Sequence, residues 1–147
     1  YNHVKSLIFY LKLLFLYYIK DVSISDLKNK LSDLAFKVTQ EGSTEPPFSG
    51  EYNNLYAEGK YVCVCCGHPL FSSKNKFNSK SGWPSFYQPI NKDCLKYIED
   101  NSHNMLRVEV CCKKCNSHLG HVFNDGPKPT FKRYCINSVS MRFIENE

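Results

Sequence analysis

Apolar residues change their spacing twice along this chain. Residues 7–19, LIFYLKLLFLYYI, are apolar throughout except for Lys12. Ile24, Leu27, Leu31 and Leu34 then recur at three- and four-residue steps. This spacing predicts one short amphipathic helix over 24–35, with Ser25 as its cap. From Tyr61 onward the helical spacing is gone. Short apolar or alternating runs follow, YVCVC, PLFSS, KFN, LRVEVCC, GHVF and RYCINSVSMRF, parted by Gly, Pro, Asn and Asp clusters. That is the pattern of short strands in an all-β domain. LRVEV at 106–110 and INSVSMRF at 136–143 alternate most cleanly, each as one strand. The stretch GSTEPPFSG, 42–50, is too rich in turn formers for a helix interior, and 51–60 reads as loop or a short helical turn. No βαβ rhythm and no fixed repeat is present. The expected fold is mainly β: two small antiparallel sheets around one core, with a short N-terminal helix outside.

The first apolar run is shorter than the roughly 20 residues of an ordinary membrane span. It resembles the apolar stretch of a signal peptide, with basic residues on both sides and no small-x-small cleavage site directly after it. Residues 1–22 are therefore set apart as an apolar leader or targeting-like segment, and 23–147 as the domain. The compartment reads as cytoplasmic or organellar, with secretory targeting and membrane association through the leader as open alternatives.

A chain of 147 residues, 42% hydrophobic and 14% aromatic, fills the core of one domain. Nineteen Lys and Arg against 14 Asp and Glu give a net charge of +5, scattered rather than striped. This argues against a nucleic-acid surface. A monomer is expected.

Eight cysteines change the picture more. Cys63-x2-Cys66 and Cys112-x2-Cys115 are two knuckle-like pairs, each at the end of a strand. Four thiolates so paired suit a closed tetrahedral zinc site. Forty-five residues separate Cys66 from Cys112, so the metal would clip two distant turns rather than build one finger. Secreted disulfide scaffolds do not normally space cysteines this way. Cys65 and Cys111 offer poorer spacings and read as non-ligands. A mixed site using His118 or His121 with Cys115, an iron–sulfur centre, and four unliganded buried cysteines are the competing readings.

Cys135 stands apart, in RYCIN. Two-residue alternation puts Arg133 and Asn137 on its strand face, and a guanidinium there would lower the thiol pKa. A cysteine with a nearby histidine is a nucleophile–acid arrangement. His118 and His121, in HLGHVF, are the candidates, although the spacing does not bring them to Cys135. A core strand cysteine and structural histidines remain the bland alternative. Trp83, the only tryptophan, stands in GWPSF with Phe86. It reads either as the wall of an apolar pocket or as a core plug.

Taken in order, TEPPFSGEY (44–52), Y-x-C-x2-CG-x-PLF (61–71), KFNSxSGWPSF (76–86), M-x-R-x-EV (105–110), C-x2-C-x-SHLGHVF-x-DGP-x-PT (112–130) and RYCINS (133–138) resemble the methionine-R-sulfoxide reductases, the class B enzymes. The resemblance runs from about Leu34 to Phe143. It implies an enzyme in which Cys135 attacks the sulfoxide sulfur and becomes a sulfenic acid. His121 would protonate the sulfoxide oxygen, with His118 orienting substrate or proton. Trp83, with Phe86, would pack on the substrate's ε-methyl group. Arg133, Asn137 and Asp125 would position and tune these groups. It also implies one structural zinc on Cys63, Cys66, Cys112 and Cys115, oxidised protein methionine of the R epimer as substrate, and thioredoxin or a similar thiol as reductant. Two positions depart from the family pattern: Ser81 replaces the usual resolving cysteine, and Phe131 replaces a usual glycine. Cys65, Cys94 and Cys111 are the spare thiols. The alternative to the enzyme is a zinc-stapled β module that binds a partner and has lost catalysis.

Overall fold

The computed structural model describes residues 23–147, so the leader and its targeting reading lie outside the described residues. The described residues begin with two helices rather than the expected one: α1 (Ile24–Lys30) and α2 (Asp33–Glu41). Between them Leu31 is extended, at φ −93° and ψ 154°. Two serines explain the break. Ser23 Oγ accepts from the Asp26 N–H at 3.2 Å, and Ser32 Oγ accepts from the Ala35 N–H at 3.1 Å. Ser23, not Ser25, is thus the first cap, and Ser32 with Asp33 behind it starts a second helix. The restart turns the apolar stripe. Leu27 is buried, but Ile24 is 67% exposed, and α2 buries Ala35, Val38 and Thr39 instead of Leu34. The second helix ends at Gly42, whose φ of 72° closes it in the left-handed region. No helix among the described residues is long and apolar enough to cross a membrane.

Nine strands follow: β1 (Gly59–Cys63), β2 (Pro69–Ser72), β3 (Lys76–Phe77), β4 (Ser85–Phe86), β5 (Leu95–Asp100), β6 (Arg107–Cys112), β7 (His118–Phe123), β8 (Arg133–Ile136) and β9 (Met141–Glu145). They form two antiparallel sheets, in the orders β2-β1-β9 and β3-β4-β8-β7-β6-β5. Two strand assignments differ from expectation. The edge strand β5 carries no clean alternation, since only Leu95 of its six residues is buried. INSVSMRF is not one strand. Ile136 ends β8, a tight 3-10 turn at Ser138–Ser140 intervenes, and Met141 opens β9 in the other sheet. Ser140 Oγ donates to the Asn137 carbonyl at 2.7 Å, so the buried turn meets its own polar demand.

The core lies between the sheets. Phe86 stacks on Phe71 with ring centroids 4.4 Å apart and meets Tyr61 edge-on at 5.2 Å. Leu70, Leu119 and Ile136, none of them exposed, complete its centre. The register of the larger sheet is what matters for chemistry. Cys135 lies opposite His121 on one side and Ser85 on the other. Gly120 makes this possible, because a Cβ there would sit 2.0 Å from the Cys135 carbonyl oxygen.

Candidate active site and metal centre

Cys63 closes β1 and Cys112 closes β6, and the chain turns in the same way after each. The Gly67 N–H donates to the Cys63 carbonyl at 2.8 Å, and the Asn116 N–H donates to that of Cys112 at 2.8 Å. Both turning residues are left-handed, Gly67 at φ 75° and Asn116 at φ 62°. The two turns face each other. Sγ atoms of Cys63 and Cys115 lie 3.6 Å apart, as do those of Cys66 and Cys112. All four lie within 4.8 Å of one another. Four sulfurs 2.3 Å from a zinc ion stand about 3.8 Å apart at the corners of a tetrahedron, so the cluster could hold such an ion. The crowded thiols divide their protons unequally: hydrogen bonds from Cys112 and Cys63 drive Cys115 down, and Cys112 chiefly drives Cys63 up. Cys65 and Cys111 are outside this group. Cys65 meets Gln40 Nε2 at 3.5 Å, and Cys111 donates to Glu109 Oε1 at 3.3 Å.

Cys135 lines a cavity of about 290 Å³ together with His121, Trp83, Arg133, Asn137, Ser81, Arg107 and Thr44. Burial pushes the Cys135 thiol above its ordinary pKa, while Arg133 and the Ser81 hydroxyl pull it down less strongly. Arg133 thus lowers the thiol as expected, but burial outweighs it. The guanidinium is shared: its Nε and Nη2 donate to the Asp125 carboxylate at 2.9 and 3.2 Å, and it lies 4.4 Å over the Phe123 ring.

The two histidines separate in role. His121 Nε2 lies 2.7 Å from Asp100 Oδ2 at the cavity wall. Burial holds its pKa below the usual imidazole value, and Asp100 opposes this only in part. The Ser102 hydroxyl, then His121, keep Asp100 well below the usual carboxylate range. His118 stands behind, with its ring centroid 5.5 Å from that of His121 and its Nδ1 2.7 Å from Glu109 Oε1. It does not line the Cys135 cavity.

Phe86 is a correction. It is fully buried between Phe71 and Tyr61 and belongs to the core, because β4 turns it to the face opposite Ser85 and Cys135. Asp125 is exposed and reaches the cavity only through Arg133. Asn137 lines the cavity although the strand ends before it. Its Nδ2 donates to the Leu119 carbonyl at 2.9 Å. Trp83 is at the cavity rather than in the core, and its Nε1 donates to the Glu45 carbonyl at 3.0 Å.

Glu45, Asp100, Arg107 and Glu109 escaped the sequence reading. The alternation in LRVEV carried a signal for Arg107 and Glu109, which stand out as charged residues in an apolar strand. Asp100 had none, since its strand was not legible. Glu45 ties three parts of the site together. Its N–H donates to Asn137 Oδ1 at 2.9 Å, its carbonyl holds Trp83, and its carboxylate accepts from the Ser138 N–H. Burial pushes its carboxyl from 4.5 up to about 7, against the pull of the Ser138 and Val139 N–H groups. The folded chain thus keeps a proton that the unfolded chain releases. The stability this group contributes is full below pH 4.5 and is lost as pH rises through about 7. The loss is on the order of 3 kcal/mol. Glu45→Gln retains an oxygen for Ser138 without the charge. Urea unfolding at about pH 5 and pH 8 is expected to show a smaller stability difference in this variant than in the parent. An equal difference in both would assign the slope to another group.

The spare cysteines do not offer themselves to Cys135. Cys65, Cys94 and Cys111 are exposed by 3%, 0% and 3%. Cys94 is held by the carbonyls of Asn91 and Leu70. Ser81, beside the nucleophile, bonds to the Ser79 hydroxyl at 2.7 Å.

Comparison with known proteins assigns the family. The SelR domain family matches residues 31–145. The peptide methionine sulfoxide reductase MsrB of Thioalkalivibrio sulfidiphilus is 52% identical over 122 residues, which cover 83% of this chain and 89% of that protein. The protein of the same name from Escherichia coli O139:H28 is 50% identical over 125 residues, covering 85% and 91%. From both β1 and β6 knuckles to the Cys135 strand, the fold lies inside that match, and this chain belongs to the SelR family of methionine sulfoxide reductases B.

Proposed function

We propose that this chain reduces methionine-R-sulfoxide, mainly within proteins, to methionine at the expense of thiols, with Cys135 as the nucleophile. The observation that carries the reading is the pairing of Cys135 with His121 across β8 and β7, at a cavity walled by Trp83. Cys135 sulfur attacks the sulfoxide sulfur. The oxygen passes to Cys135, which becomes a sulfenic acid, and the substrate sulfur leaves reduced as the thioether. A sulfoxide oxygen is a weak base, so attack needs a proton in step with it. His121 supplies that proton, and Asp100 fixes its ring and steadies the imidazolium form. His118, locked by Glu109, packs edge-on behind His121 and keeps it from turning away. Trp83 offers an apolar wall for the ε-methyl group.

A thiol raised by burial is mostly protonated at neutral pH. Arg133, held by Asp125, favours the thiolate as substrate displaces water and the proton leaves. Two equivalents of thiol then return the sulfenic acid to the thiol, forming a disulfide and water. Ser81 has no sulfur, and the spare cysteines are buried. The reductant, thioredoxin or a similar thiol, therefore meets Cys135 through the open cavity. The four paired cysteines would hold one zinc ion, which when bound supplies a structural cross-link between two turns.

Racemic dabsylated methionine sulfoxide with dithiothreitol tests the reading. Consumption of the R epimer with the S epimer left behind is the expected result. No turnover by reduced, zinc-loaded protein would leave only a binding module on the family's scaffold.

A further inference from the structure

Phe48 is 69% exposed and its backbone sits at φ 62°. An exposed ring gains little from burial, and a left-handed backbone is uncomfortable for a bulky residue, so folding alone does not reward this arrangement. The arm that carries it is nevertheless firmly fixed. The Phe48 N–H donates to the Gly82 carbonyl at 2.7 Å. Three residues earlier, Glu45 is tied to Asn137, Trp83 and Ser138. The ring itself lies against Gly82: a Cβ built there would meet Phe48 Cδ2 at 3.0 Å and Pro47 Cβ at 2.8 Å. Gly82 stands between Ser81 and Trp83, both in the cavity wall. Phe48 thus stands beside the loop that carries Ser81 and Trp83 into the cavity wall.

We propose that Phe48 is a docking residue for the polypeptide carrying the oxidised methionine, where it receives an apolar side chain next to the sulfoxide. This rests on the sulfoxide-reductase reading above. The cavity takes the methionine side chain, and the chain on either side must cross its rim. In an extended peptide, side chains two residues apart fall on the same side at about 7 Å, so a neighbour of the methionine lands beyond Trp83. An exposed aromatic ring on a backbone anchored to Gly82 favours apolar neighbours over polar ones without choosing a particular sequence.

The test compares the parent with Phe48→Ala and Phe48→Gly on three R-sulfoxide substrates. These are N-acetyl-methionine sulfoxide, a pentapeptide with leucines flanking the sulfoxide, and the same peptide with serines. Both variants are expected to lose about fivefold in kcat/KM on the leucine peptide and little on the other two. Phe48→Gly is also expected to melt no lower than the parent, since glycine accepts the left-handed backbone. That separates docking from folding. An equal fall on all three substrates, or no fall on the leucine peptide, would overturn the proposal. A parent that turns over none of the three would instead overturn the reductase reading, and the inference with it.

Discussion

Cys135→Ser is expected to abolish sulfoxide reduction, with a fall in kcat/KM of at least about 10³-fold. A hydroxyl is a far weaker nucleophile than a thiolate at neutral pH, and no buried thiol can take its place. Cys65, Cys94 and Cys111 are each exposed by 3% or less. The substitution is nearly isosteric and adds no charge to β8, so folding and substrate binding should survive. Fluorescence of Trp83, the only tryptophan, offers a direct readout of binding in the inactive variant. The same chemistry predicts what the parent accumulates. One equivalent of R-sulfoxide without reductant should leave a sulfenic acid at Cys135, trapped by dimedone and visible as one adduct by mass spectrometry. Substantial activity in Cys135→Ser would contradict the assignment, and an intramolecular disulfide to Cys135 in the parent would contradict direct reduction by an external thiol.

Loss of the metal cluster should have the largest effect on stability. Cys63 pairs with Cys115 across 52 positions and Cys66 with Cys112 across 46. In the chain-entropy account, a cross-link closing a loop of this size stabilises the fold by about 4 kcal/mol. An ion held there would join the end of β1, in the smaller sheet, to the end of β6, in the larger one. Without it, thiols packed within 4.8 Å of one another must be accommodated between those ends. Stripping zinc with a chelator under reducing conditions, or Cys112→Ser, is therefore expected to cost several kcal/mol. This exceeds the roughly 0.5–3 kcal/mol of most point substitutions. Melting with and without added zinc measures it, and metal analysis should give one ion per chain. Equal melting with and without the ion would show that the two sheets hold together unaided.

Part of this site was open to the sequence because the chemistry is local. A C-x2-C pair brings two sulfurs together through one turn, so the candidate ligand set followed from spacing, as did the reading of Cys65 and Cys111 as non-ligands. The two-sheet β architecture was also legible, since alternation reports which face of a strand is buried. The helix was less so. Ser32 could be seen in the sequence, but a continuous apolar stripe outweighed it, and the break shows the cap competing successfully with the periodicity. INSVSMRF kept its alternation while changing sheets, because the serines that look like an exposed strand face instead satisfy a buried turn.

Pairing across the sheet decided the rest. Spacing alone does not separate His118 from His121, and only the family resemblance favoured His121 as the acid. The register sets His121 opposite Cys135 and His118 opposite Cys111, with a bulge between Val110 and Cys111. Phe86 and Trp83 looked like one aromatic group, yet β4 sends Phe86 into the core while the preceding loop holds Trp83 at the cavity. The sequence by itself thus pointed to Cys135 through the family resemblance, and to the candidate metal ligands and the class of fold through residue type and short spacing. Only the tertiary structure supplied the register that sets His121 opposite the thiol, the hold of Asp100 and Glu45 on the site, and the excess of burial over Arg133 at Cys135. Those outcomes depend on desolvation and on contacts between residues as far as 93 positions apart, and neither is written in local spacing.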